Sequence, residues 1–185
     1  MAKTRKRIQL SLLIAVGIAL HIFEIFLPLL NLLPIPGVKL GLANIVTLVS
    51  LVFWGYSEAL VVVLLRSLLA SLLSGTFLTT TFYLSFAGAL GSVTAMGLAY
   101  FLARGRLSLV GISMCGAVVH NLCQLMVAAV LVQQVGIFIY LPYLLLFALP
   151  MGYFIGLVVA NVLGYLWGIS PAKIQEVISS PRKMV

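Results

Sequence analysis

Long apolar runs follow one another along nearly the whole chain, separated by short breaks that carry polar residues, Gly or Pro. The runs lack the two-residue alternation of a membrane β-strand, and most approach the roughly 20 residues that a helix needs to cross a bilayer. The pattern predicts an all-α integral membrane protein, a single domain of six transmembrane helices in one bundle. The predicted spans are 8–33, 38–54, 57–74, 80–103, 108–133 and 141–168.

Composition and charge placement support this interpretation. Hydrophobic residues make up 63% of the chain and charged residues 8%, with a mean hydropathy of +1.25, whereas a water-soluble domain needs a polar exterior. With both termini cytoplasmic, six spans place nine of the 11 basic residues inside, as the positive-inside rule expects. Five spans would put one basic terminus outside. The cytoplasmic basic residues are Lys3, Arg5, Lys6, Arg7, Arg104, Arg106, Lys173, Arg182 and Lys183.

The net charge of +8 is dispersed over the ends of loops. This distribution fits topology and contact with anionic lipid headgroups, and it does not favour a nucleic-acid partner.

Small residues recur every four positions in three of the predicted spans, and such stripes let helix backbones approach closely inside a membrane. They predict close packing within the bundle. The stripes are Ser11, Ala15 and Ala19 in the first span, Ala87, Gly91, Ala95 and Ala99 in the fourth, and Gly152, Gly156, Ala160, Gly164 and Gly168 in the sixth.

The chain is poor in residues for catalysis. Its acidic residues are Glu24, Glu58 and Glu176, and it has no Asp, so the paired carboxylates that hold magnesium on a diphosphate are missing. It has no phosphate-cradling loop of the P-loop type. His21 and His120 lie on different spans without neighbouring ligands. We therefore expect no enzymatic activity, no metal site and no cofactor.

Polar side chains at membrane depth are costly and need partners. Lys39 and Asn44 are expected at the outer end of the second span, Arg66 in the middle of the third, and a polar cluster in the fifth, formed by His120, Asn121 and Gln124.

Pro36 and Gly37 are expected to start the second helix, so that its N-terminus and Lys39 in its first turn favour an anion. The six polar residues are thus candidates for an outward-facing anion pocket. Two alternatives stay open: Arg66 pairs with Glu24 inside the bundle, or Lys39 does.

Three segments resemble a known family: PGVKLGLANIVTL, LLRSLLASLLSG and FYLSFAGALGSVTAM. Over roughly residues 8–168 the chain is similar to heptaprenyl diphosphate synthase component I, also called the Gx transporter family. That family resembles the substrate-binding S components of energy-coupling-factor transporters. The resemblance implies a six-helix fold, a solute taken up from outside, and a T subunit with ATPase subunits as partners. It also implies that Ala15 and Ala19 of the first helix contact the T subunit.

The leading hypothesis is an S-component-like subunit for uptake of a small anionic molecule, energised by separate ATPases. The alternative is a non-catalytic membrane accessory subunit for heptaprenyl diphosphate synthesis, with a soluble prenyl synthase as its partner. A third possibility is a structural subunit of a larger membrane complex.

Overall fold

The computed structural model describes residues 2–25, 41–103 and 106–167. All regular elements in these ranges are helical, which confirms the predicted all-α fold. They are α1 (Ala2–Ile25), α2 (Asn44–Trp54), α3 (Tyr56–Leu73), α4 (Thr80–Ala103), α5 (Leu109–Val132), a short 3-10 helix (Val135–Tyr140) and α6 (Leu141–Trp167).

Five of these helices, α1 and α3 to α6, are long and apolar enough to cross a membrane. The remaining helix, α2, has only 11 residues. At a rise of 1.5 Å per residue it spans about 16 Å, roughly half of the hydrocarbon core of a bilayer. The chain is a multi-pass membrane protein, a helical bundle in which one of the six described α-helices is short.

The first helix extends further toward the N-terminus than the predicted span, because it begins at Ala2 instead of Ile8. Its first two turns carry Arg5, Lys6 and Arg7, whose long side chains can reach water while their stems lie along apolar surface. Residues 26–33 of the predicted span lie outside the described residues.

Helices α2 and α3 form an antiparallel hairpin around a single residue, Gly55. Its φ of 95° lies in the left-handed region, which glycine adopts without steric penalty. Asn44 and Arg66, each eleven residues from Gly55, are joined by a hydrogen bond. This bond pairs the start of α2 with the middle of α3.

The remaining helices alternate in direction. Helix α1 runs parallel to α3, since Lys6 pairs with Glu58 near the start of both helices and Gly17 lies against Arg66 further along both. Tyr56, at the start of α3, lies against Gly97, near the end of α4. The start of α1, the start of α3 and the α4–α5 connection therefore share one end of the bundle. We call it the basic end, after Lys6, Arg7 and Arg106.

Glycines set the closest helix contacts in the second half of the chain. A Cβ atom at Gly156 of α6 would lie 2.5 Å from the Cα of Val110 in α5, and one at Gly152 would lie 2.8 Å from the Cα of Met114. Real Cβ atoms do not approach a backbone this closely, so the packing of α5 on α6 requires glycine at both positions. The packing role expected of Gly152 and Gly156 is thus observed.

The short helix α2 lies at the centre of the bundle, where it contacts α1, α3, α4 and α6. Most of its 11 residues are buried, among them Val46, Leu48, Val49 and Leu51. Its neighbours therefore enclose α2 and shield its polar first turn.

Candidate functional site

Arg66, in the middle of α3, is 2% exposed. Its guanidinium donates hydrogen bonds to Asn44 Oδ1 at 3.2 Å and to Thr47 Oγ1 at 3.3 Å, both on α2. The stem of Arg66 packs against α1 at Gly17, where an added Cβ would lie 3.1 Å from Arg66 Cδ. The structure therefore brings the predicted residues Asn44 and Arg66 into direct contact.

The third contributor to this group is Glu24 of α1, which is 1% exposed. Its carboxylate accepts a hydrogen bond from the backbone N–H of Gly41 and acts electrostatically on the Arg66 guanidinium. A carboxylate of the same chain thus offsets part of the buried positive charge. This favours the alternative in which Arg66 is paired within the bundle. We call Glu24, Gly41, Asn44, Thr47 and Arg66 the arginine cluster.

The predicted start of the second helix at residue 38 is wrong, because α2 begins at Asn44. Gly41 has a φ of 82°, outside the helical range, and the chain turns through Leu42 and Ala43 before the helix starts. The turn is tight, since a Cβ at Gly41 would lie 3.0 Å from Asn44 Nδ2. Lys39 itself lies outside the described residues, and its role stays a prediction.

The three polar residues of α5 divide between two neighbouring helices. His120 and Gln124 lie against Gly88 of α4, where a Cβ would approach them to 3.0 and 2.9 Å. Asn121 instead donates a hydrogen bond to the backbone carbonyl of Leu144 in α6, at 3.1 Å. Asn121 therefore ties α5 to α6, away from the other two.

Gln124 is 0% exposed, and neither atom of its side-chain amide has a hydrogen-bond partner among the described residues. The hydroxyl of Ser92, one turn below Gly88 on α4, is buried and equally unpartnered within that part of the chain. A buried amide without a partner is destabilising, so such groups usually meet a water molecule or a ligand. We call His120 and Gln124 the glutamine cluster. The hydrogen bonds described above do not link it to the arginine cluster.

Three residues that contact the predicted site residues were not predicted from the sequence: Thr47, Gly17 and Gly88. Thr47 follows Asn44 by three residues on the same face of α2, a spacing that pairs side chains along a helix. Gly17 and Gly88 lie next to the stripes of small residues that were singled out, and they make the contacts with Arg66, His120 and Gln124.

Ala15 and Ala19 of α1 are exposed, as are Leu12, Val16 and Phe23 of the same helix. The face that packs within the bundle carries Gly17. The two alanines therefore point away from the described helices, and their contact with another subunit stays a prediction.

A cleft opens between α1 and α3 at the basic end. Lys6 Nζ lies 2.5 Å from Glu58 Oε1 at its rim, and both side chains are partly exposed. The cleft has a volume of about 330 Å³ and is lined by Lys6, Arg7, Leu10, Ser57, Glu58 and Val61. It combines two cationic side chains with apolar walls, and we call it the α1–α3 cleft.

No three His, Cys, Asp or Glu side chains come together as metal ligands in the described ranges. Glu58 pairs with Lys6 at the basic end, whereas Glu24 lies about 27 Å from the level of Lys6, measured by the helical rise along α1. Glu176 falls outside those ranges.

Comparison with known proteins identifies a family for this bundle. The family model of heptaprenyl diphosphate synthase component I matches residues 13–162, which include the second half of α1 and most of α6. No curated protein and no solved structure matches the chain. Since the matched segment covers far more than half of the sequence, the chain belongs to the heptaprenyl diphosphate synthase component I family.

Proposed function

We propose that this protein is a non-catalytic membrane component of heptaprenyl diphosphate synthesis and acts together with a separate, soluble prenyl diphosphate synthase. The observation that carries the proposal is the family match over residues 13–162, which spans nearly the whole described bundle. The family is named as a component of a synthase, and that name calls for a partner chain.

The chemistry of the chain supports the division of labour. Magnesium at a diphosphate is normally held by carboxylates together with the substrate phosphates. This chain has three Glu and no Asp, and Glu24 and Glu58 are engaged at opposite ends of α1. The catalytic carboxylates would therefore come from the partner, while the bundle would hold that partner at the membrane where its apolar product accumulates.

The test is reconstitution with a soluble prenyl diphosphate synthase from the same cell. We expect this synthase to co-purify with the tagged membrane protein and to make heptaprenyl diphosphate faster in its presence, whereas the membrane protein alone makes none. Product is measured by chromatography of the prenyl chains. A synthase that neither associates with the bundle nor changes in rate or chain length would overturn the proposal.

The glutamine cluster favours a second candidate, uptake of a small polar molecule by an S-component-like subunit. A fully buried amide without a partner among the described residues is typical of a site that awaits a ligand or water. In this case Ala15 and Ala19, exposed on α1, would contact a T subunit that carries the ATPases.

Mass spectrometry of small molecules retained by gently purified protein separates the two outcomes. Uptake predicts a retained molecule that disappears in Gln124→Leu, while the thermal stability of the variant stays at or above wild type because a buried unpaired amide is removed. If wild type and Gln124→Leu retain the same molecules, the glutamine cluster binds only water and this candidate function is lost.

A further inference from the structure

The α1–α3 cleft has the chemistry of a site for an amphiphilic anion. Its rim carries the Lys6 ammonium and the Arg7 guanidinium, and its inner wall carries Leu10 and Val61. Its volume of about 330 Å³ lies near the lower end of the range for small-molecule sites, roughly 300–1,000 Å³. That space suits a headgroup and the first part of a tail.

Glu58 holds the Lys6 ammonium in place and leaves some of the N–H donors of Lys6 available. The Lys6 ammonium has three N–H donors, and the contact with Glu58 Oε1 uses one of them. Arg7, one residue further along α1, is exposed and adds a guanidinium fork, which suits phosphate oxygens. After the carboxylate is counted, the rim keeps one net positive charge. An anion is therefore favoured there.

The apolar wall continues beyond the cleft along α3. Val61, Leu65, Leu69 and Leu72 are exposed at intervals of three or four residues, which places them on one face of the helix. From Val61 to Leu72 this face is about 16 Å long by the helical rise. A long apolar tail attached to a headgroup in the cleft can lie against it.

We propose that the α1–α3 cleft binds a prenyl diphosphate, with the diphosphate at Lys6 and Arg7 and the isoprenoid tail along the exposed face of α3. This inference rests on the proposed function, which makes such a molecule the product of the partner synthase. A diphosphate carries more negative charge than the single phosphate of a glycerophospholipid and can engage both cations together. The cleft thereby receives the product at the cytoplasmic surface of the membrane.

The test uses the full chain in nanodiscs of phosphatidylcholine, with farnesyl diphosphate as the probe and native mass spectrometry or equilibrium binding as the readout. Arg7→Gln is expected to weaken binding about tenfold or more, the scale of a lost charge-assisted hydrogen bond. Arg5→Gln is the matched control, because Arg5 lies on the same helix and does not line the cleft. Its affinity should stay at wild type, and both variants should melt normally.

Several results would overturn the proposal. One is that farnesyl diphosphate does not bind. Another is that Arg5→Gln weakens binding as much as Arg7→Gln, which would show that any nearby positive charge attracts the probe. Inorganic pyrophosphate binds as tightly as farnesyl diphosphate, so that the tail plays no part. Phosphatidylglycerol in the nanodisc displaces the probe at equal concentration, so that the cleft takes any anionic lipid.

The readout is independent of the synthase. If the synthase co-purifies and farnesyl diphosphate does not bind, only the cleft is wrongly assigned. If farnesyl diphosphate binds in the Arg7-dependent manner and the synthase does not associate, the cleft stands and the subunit role fails.

Discussion

Arg66 illustrates how individual residues compensate one another inside this bundle. A guanidinium at membrane depth is stabilised only when its charge and its N–H groups find partners. Asn44 and Thr47 accept two of its hydrogen bonds, and Glu24 supplies the opposite charge. Because α1, α2 and α3 each contribute a side chain, the arginine cluster joins the first three helices at one point.

Removing either charge of this cluster should destabilise the protein. We expect Arg66→Gln and Glu24→Gln each to lower the free energy of unfolding by about 3–5 kcal/mol, since each leaves the opposite charge uncompensated in a buried site. The double variant should recover a large part of the loss, because no net charge is then buried. Thermal unfolding in detergent measures all three. Strictly additive losses would show that the two residues do not stabilise each other.

At the scale of helices, close packing depends on where small residues face a neighbour. Gly88 accommodates His120 and Gln124, and Gly17 accommodates the stem of Arg66. Between α5 and α6 the need for a small residue is greater, since Gly152 and Gly156 lie directly against backbone atoms. Backbone atoms cannot rotate away as a side chain can, so this helix pair tolerates the least change.

Gly156→Ala is therefore expected to destabilise the bundle by about 1–3 kcal/mol, the usual range for overpacking. Gly111→Ala on α5 is the matched control, because its Cβ would lie 3.4 Å from the flexible side chain of Leu107. That variant should be neutral or more stable, since alanine favours a helix by roughly 1 kcal/mol over glycine. Comparison of the two melting temperatures is the measurement. Equal effects would mean that the α5–α6 contact is looser than the structure shows.

At the scale of the whole molecule, the alternating helices bring the basic residues of distant segments to one end. Lys6 and Glu58 pair there, and the α4–α5 connection with Arg106 lies at the same end. The 3-10 helix Val135–Tyr140, which follows the far end of α5, lies at the opposite end. This arrangement agrees with the topology expected from the positive-inside rule, with the basic end in the cytoplasm.

Single cysteines introduced at the two ends should reveal this orientation. With Cys115 and Cys123 replaced, Ile139→Cys is expected to react with an impermeant thiol reagent in intact cells, whereas Arg106→Cys should react only after permeabilisation. Ile139 is 72% exposed, so no other part of the described chain covers it. Labelling of Arg106→Cys in sealed cells would reverse the orientation and would place the α1–α3 cleft on the outer surface.

The helices, and the presence of Asn44 and Arg66 in one polar group, could be inferred from sequence because both follow from the bilayer. Apolar runs must form helices, and rare polar residues must meet one another. The start of α2 could not be inferred, since the turn at Gly41 depends on contacts with Glu24 and Asn44. Nor could the division between His120 and Asn121, because adjacent residues point about 100° apart on a helix and only the neighbours decide which helix each meets.

The shortness of α2 bears on how the protein is inserted into the membrane during synthesis. A segment of 11 residues is too short to be retained in a bilayer alone, and an arginine at the centre of α3 raises the insertion free energy of that helix by about 2.5–3.5 kcal/mol. Each helix offsets the defect of the other. Helix α2 supplies hydrogen-bond acceptors for the guanidinium, and α3 supplies a segment long enough to cross the bilayer. We therefore expect the insertion machinery to release α2 and α3 into the lipid together, as one helical hairpin turned at Gly55, against α1, which is synthesised before them.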